Sequence, residues 1–310
     1  MPYSRPRYLR ELIALEGLIP PAYTRCVGSK KVQKIAIAAL VLGSAGLICV
    51  AQKPGVPGGW VATDRPAGSA ADGDHMQCAT YSENEWQVSM RSSELHIVDT
   101  GSEKRADDPL PPRFVRTKEM PGRAVAVRVG DGWLIGFDSG EFGGGLWWAD
   151  AEGRQTKQLS GENVRVIVKR GEEALVLTGL AHMSSDHGGV SSYRPAAGGG
   201  GDLVRIADLG SSPAAAMFRS DGTLLIAAQA RVLELTSENK LNVVFQDDNM
   251  SLLYPNSIVE GKDGSLFVGM RFYVLQLSRT DDGPFQPAWF VRSKCTKTKI
   301  SDFRCVCVGK

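Results

Sequence analysis

The feature that most constrains this chain is a turn followed by an apolar run, repeated at intervals of 41 to 49 residues. The clearest copies are Ser220-Asp-Gly-Thr-Leu-Leu-Ile-Ala227 and Lys262-Asp-Gly-Ser-Leu-Phe-Val-Gly269. Gly130-Asp-Gly-Trp-Leu-Ile-Gly136 is a third, and Gly171-Glu-Glu-Ala-Leu-Val-Leu177 fits with its glycine displaced. Glu83-Asn-Glu-Trp-Gln-Val88 is a looser fifth copy. The turn positions are then Asn84, Asp131, Glu172, Asp221 and Asp263. A two-residue hairpin loop needs positive φ, which glycine accepts and Asp tolerates. Each turn therefore predicts an antiparallel hairpin.

Further strands follow each turn. Arg231–Leu235, Tyr273–Leu277 and Leu146–Ala149 alternate, or nearly so, as half-buried strands do. Gln155–Leu159, Leu241–Phe245 and Ala288–Val291 come after them. Ala124–Val129, Val164–Val168, Ala214–Phe218 and Ser257–Val259 precede the turns. Four strands per period of roughly 40–50 residues is the composition of a propeller blade. The expected fold is all-β, a β-propeller of about five four-stranded blades, or six if the flanks supply strands. A β-sandwich of irregular hairpins is the alternative.

Before the repeats, Ile35–Ala51 runs seventeen residues without a charge, directly after Lys30, Lys31 and Lys34. A basic flank and an apolar segment predict a signal peptide or a short transmembrane helix. The division expected is a basic segment 1–34, the apolar helix 35–52, a flexible Pro/Gly/Ala linker 53–77, a propeller 78–294 and a cysteine-containing tail 295–310. Residues 1–34 hold seven basic and two acidic side chains, so the remainder is mildly acidic despite the overall +2. No basic stripe suited to nucleic acid is visible. The chain is expected outside the cytoplasm, periplasmic or otherwise extracytoplasmic, with membrane attachment through 35–51 if that segment is retained.

Cys78, Cys295, Cys305 and Cys307 bracket the repeats and in an oxidising compartment favour disulfides. A bond from Cys78 to the tail would clasp the first and last blades. Cys305-x-Cys307 binding a soft metal is the alternative.

Tyr254-Pro-Asn-Ser-Ile-Val259, leading into Asp263-Gly-Ser-Leu-Phe-Val268, resembles the repeat of NHL and SMP-30/gluconolactonase-type propellers. The resemblance covers this unit well and residues 211–235 loosely. In lactonase-type members an Asn at this place helps hold a divalent metal, so the resemblance implies Asn256 as a ligand; a turn-forming residue bonding its own backbone is the alternative. The Asp expected after the following strand is replaced by Gly269, Met270 and Arg271.

Other candidates are polar groups in loops. His182, Asp186 and His187 could supply imidazole and carboxylate ligands to zinc or iron, or simply occupy a polar inter-strand loop. Glu141 lies in the glycine-rich Asp138–Leu146 stretch and is the best carboxylate for a central mouth. Trp147 and Trp148 face opposite ways in a strand, which sets one in the core and leaves the other, Trp148, for ligand contact. No nucleophile motif is present. The leading expectation is a non-catalytic binding module, taking a protein or small-molecule ligand on its loops, with a divalent metal as the one possible cofactor. A metal-dependent hydrolase or lactonase and a structural component of a membrane-anchored complex are the alternatives.

Overall fold

The computed structural model describes residues 56–66, 78–101, 106–196, 198–279, 283–301 and 304–308. The expected leader, 35–52, and the basic segment before it lie outside these residues. No helix among the described residues is long and apolar enough to cross a membrane.

The described chain is all-β. Four sheets are built from consecutive hairpins: β4–β7 (Arg123–Val129, Gly132–Asp138, Gly144–Asp150, Thr156–Ser160), β8–β11 (Val164–Arg170, Glu173–His182, Ser185–Pro195, Gly201–Asp208), β12–β15 (Pro213–Phe218, Leu224–Ala228, Arg231–Leu235, Leu241–Gln246) and β16–β19 (Ser257–Glu260, Leu266–Gly269, Val274–Ser278, Gln286–Arg292). The first strands adjoin in order, β4 to β8, β8 to β12, β12 to β16. An earlier hairpin, β2 (Trp86–Arg91) and β3 (Glu94–Asp99), then sets β2 against β16. The row of sheets thus returns toward its start, a propeller-like succession.

Packing explains why the second strands read as unbroken apolar runs. In each four-stranded sheet the second strand is buried on both faces. Leu224, Ile226 and Ala228 enter the core shared with β8–β11, while Leu225 and Ala227 enter the core shared with β16–β19. Trp148 packs toward β8–β11, and Trp147 packs on the other face with Phe137 and Met120. Both tryptophans are buried, so Trp148 is a core residue and not the exposed ligand contact expected from its sequence.

The hairpin turns fall at four of the five expected places. In Gly130-Asp131 and Gly171-Glu172 the glycine, at φ 57° and 62°, takes the left-handed position. In the longer turns at 219–223 and 261–265 it is Gly222 and Gly264, and Asp221 and Asp263 instead accept backbone N–H bonds from Thr223 and Ser265. Asn84 is not a hairpin turn. That hairpin turns at Ser92-Ser93, both with positive φ, and contributes two strands where four were expected.

The stretch 53–77, read as a linker, holds a strand. β1 (Trp60–Thr63) pairs antiparallel with β19, Trp60 opposite Arg292, as the fifth strand of the last sheet. Its Pro/Gly-rich flanks hid it. The tail forms a further hairpin, β20 (Thr298–Ser301) and β21 (Arg304–Cys307). Cys78 bonds Cys305, and Cys295 bonds Cys307. The tail cysteines are therefore oxidised in pairs and form no metal-binding Cys-x-Cys.

Candidate functional site

Within each four-stranded sheet, the connection from second to third strand and the link to the next sheet leave by the same edge, opposite the Asp-Gly turns. This edge gathers residues 139–143, 161–163, 183–184, 209–212, 229–230, 247–256 and 270–273. Hairpin β9–β10 is the longest, with strands of ten and eleven residues, so its tip projects from the edge. Leu180–Gly189, read from sequence as a loop, belongs to this hairpin, and only Met183 and Ser184 lie between the strands.

The hairpin separates two open clefts. His187 lies opposite Leu180 and Asp186 opposite Ala181. Directly opposed residues share a face, and the next pair along shares the other. Leu180 and His187 accordingly line a first cleft with Glu141, Glu162, Asn163 and Arg205. Ala181 and Asp186 line a second with Gln229, Asp248, Leu252 and Tyr254.

At the partition, Nε2 of His182 lies 2.8 Å from Oε2 of Glu141. The contact has ion-pair distance without the alignment of an N–H hydrogen bond. Glu141 reaches it from a short 3₁₀ turn, Gly140–Phe142, closed by Gly143 at φ 99°. Asn163 steadies that turn by donating from Nδ2 to the Gly140 carbonyl at 2.7 Å.

The three expected metal ligands on this hairpin do not converge, because alternation sends Asp186 to the face away from His187. Asp186 is committed elsewhere: it accepts from Ser211 Oγ at 2.7 Å and from the Ser212 N–H at 2.6 Å. Nδ1 of His187 sits 3.2 Å from Ser185 Oγ. Asn256 is buried at the start of β16, its Oδ1 accepting from Ser257 Oγ at 2.8 Å, and it lines neither cleft. Among the described residues no three His, Cys, Asp or Glu side chains gather as metal ligands. Glu141 and His182 are brought together; Asn256 and Trp148 are not brought to them.

Sequence reading missed the apolar part of this edge. Met183 is 94% exposed, Phe142 79%, Leu252 46% and Tyr254 42%. Met183 and Tyr254 also hold left-handed backbone at φ 51° each, unusual for side chains of their size. The Arg271 guanidinium stacks 4.1 Å above the Tyr254 ring. Met183, Phe142 and Tyr254 each lie within two residues of a sequence candidate, and Leu252 lies four from Asn256, but exposure depends on which strand ends project, and that is a tertiary property.

No protein-family model matches the chain, and no curated protein matches it. Solved structures with similar sheets include the extracellular domain assigned to a one-component system of B. thetaiotaomicron, 12% identical with a TM-score of 0.39, covering 65% of this chain and 26% of that one. Virginiamycin B lyase from Staphylococcus aureus is 11% identical, TM-score 0.36, covering 72% and 83%. YCF48 bound to D1 peptide is 14% identical, TM-score 0.33, covering 65% of each chain. The chain spans about a quarter of the length of the first of these.

Proposed function

We propose that this chain is an exported, propeller-type binding module that takes a protein or peptide partner on the edge bearing Phe142, Met183, Leu252 and Tyr254. The observation that carries the reading is the exposure of these four large apolar side chains on loops fixed to fully packed sheets. Isolated exposed apolar residues are ordinary, but a cluster on projecting loops marks an interaction surface. Glu141 and His182 sit among them and supply the polar contacts. Two disulfides support an oxidising location.

The test is site-specific photo-cross-linking in cells, with a benzophenone amino acid at position 183 and, as control, at position 240 beside the opposite turns. Adducts from 183, absent from 240 and lost in Phe142→Ser/Leu252→Ser, are expected. Equal labelling from both positions would count against the reading.

A further inference from the structure

Sheet edges offer a second surface, distinct from the loop face. The outer strands of three sheets are guarded. β7, β11 and β15 each carry a register shift against their neighbour, at 146/147, 190/191 and 232/233 respectively. Such bulges twist an edge away from pairing with other chains. In the fourth sheet β19 is covered by β1, which ends the sheet in an edge strand of only four residues.

β3 has none of these devices. It pairs with β2 over six consecutive residues, Trp86 opposite Asp99 through Arg91 opposite Glu94, without a shift. Glu-Leu-His-Ile-Val-Asp contains neither proline nor lysine. Among the described residues no strand pairs with its outer side, where the sibling sheets carry a third and a fourth. The hairpin is also held firmly. The Trp86 N–H and its indole Nε1 donate to the carbonyls of Met270 (3.1 Å) and Phe272 (3.0 Å), and the Val88 N–H donates to Ser257 Oγ at 2.9 Å. A rigid, regular, unguarded edge is what strand addition requires.

The geometry points to β3 as a docking edge for an extended segment of another protein, added antiparallel as a third strand. The side chains define the guest. Leu95 and Ile97 are half-buried against Trp86 and Val88 and call for apolar residues opposite them. Glu94 places an exposed acid at the start of the strand and calls for a basic residue opposite it, whereas the Asp99 carboxylate already accepts from the Asn84 amide and from the Glu85 and Gly101 N–H groups. The guest is thus a six-residue strand, basic at its last position, opposite Glu94, and apolar at its third and fifth. A second copy of β3 fits poorly, because antiparallel self-pairing sets Glu94 of one strand beside Asp99 of the other.

The probe is the peptide Lys-Thr-Val-Thr-Ile-Lys added to the full chain, with binding read by fluorescence anisotropy and β3 by amide hydrogen exchange. Saturable binding with slowed exchange confined to residues 94–99 is expected. The same peptide methylated on alternate backbone nitrogens should bind more than about tenfold weaker, since several main-chain hydrogen bonds are lost. Glu94→Lys, at an exposed site, should weaken binding about twofold to fivefold with an unchanged melting temperature. Absence of binding, equal affinity for the methylated peptide, or protection that grows with protein concentration alone would overturn the assignment.

Discussion

Arg65 grips Asp247 through two hydrogen bonds of 2.7 Å, Nε to Oδ2 and Nη2 to Oδ1, although 182 residues separate them. Asp247 is buried and also accepts from the Asn249 N–H, capping the short helical turn Asp248–Leu253. The Asn249 amide in turn donates to the Pro66 carbonyl at 2.9 Å. The segment that carries β1 is thereby tied to the loop that presents Leu252 and Tyr254.

Asp247→Ala should therefore cost about 1.5–3 kcal/mol, the range for charge-assisted hydrogen bonds around a buried carboxylate. Arg65 is mostly exposed, so Arg65→Ala should cost less, about 1 kcal/mol. Urea denaturation of the two variants checks the order. Equal costs would mean that Asp247 acts only through Arg65 and that its cap contributes nothing.

The two disulfides should differ in weight. Cys78–Cys305 closes 227 residues and Cys295–Cys307 closes 12. In the chain-entropy model these loops correspond to about 5 and about 3 kcal/mol. Cys78→Ser/Cys305→Ser should then lower the denaturation midpoint more than Cys295→Ser/Cys307→Ser. The reverse order would show that the tail hairpin, not the long clasp, governs stability.

Acid sensitivity should trace in part to Glu173. Hydrogen bonds from Arg194 and Arg170 hold its carboxyl below the usual range, with Ser192 adding a third. A depressed folded value gives stability that is complete above the unfolded glutamate pKa and is lost as pH falls through the folded value. Stability should decline below about pH 4.5, and Glu173→Gln should flatten that limb. An unchanged acid limb in the variant would assign it to other carboxylates.

The Tyr193 phenol is pushed up to about 12, first by burial and then by the nearby Asp131 charge. Its hydroxyl donates to the Gly200 carbonyl at 2.5 Å. Stability from this group is present below the unfolded tyrosine pKa and is lost as pH rises through the folded one. Ultraviolet titration of wild type against Tyr193→Phe should show one phenol fewer titrating near pH 12, with a stability cost of about 1 kcal/mol at neutral pH. A missing phenol with an ordinary value near 10 would show Tyr193 to be solvated.

Glu141→Gln should leave the unfolding free energy nearly unchanged, within about 0.5 kcal/mol, because both partners of the His182 pair are half-exposed. The same variant should reduce cross-linking from position 183. Loss of folding instead would make the pair a structural strut.

What was legible in the sequence follows the physics of each signal. Turn glycines and apolar second strands are local requirements, so Leu224–Ala228 and Arg231–Leu235 are found where the pattern puts them. The two-stranded β2–β3 unit was overcounted because Asn84 resembles a turn residue. It actually donates from its amide to the Asp99 carboxylate. β1 was missed because four residues between prolines and glycines carry no period of their own, and its partner lies more than 220 residues away. At the site, Glu141 and His182 were named separately from their residue type. Their meeting depends on the extra length of β9 and β10, which no local motif encodes. Trp148 was misjudged since a sheet covered on both sides leaves neither of two adjacent aromatics free.

Pairing of β1 with β19 has a consequence for the order of assembly. Trp60 waits for Arg292, and Cys78 for Cys305, so the earliest-made part of this body cannot settle until the latest-made part has emerged. Contacts of such long range slow folding. A chain threaded across a membrane from its amino end would arrive with its final sheet unfinished, and closure would follow release rather than accompany passage.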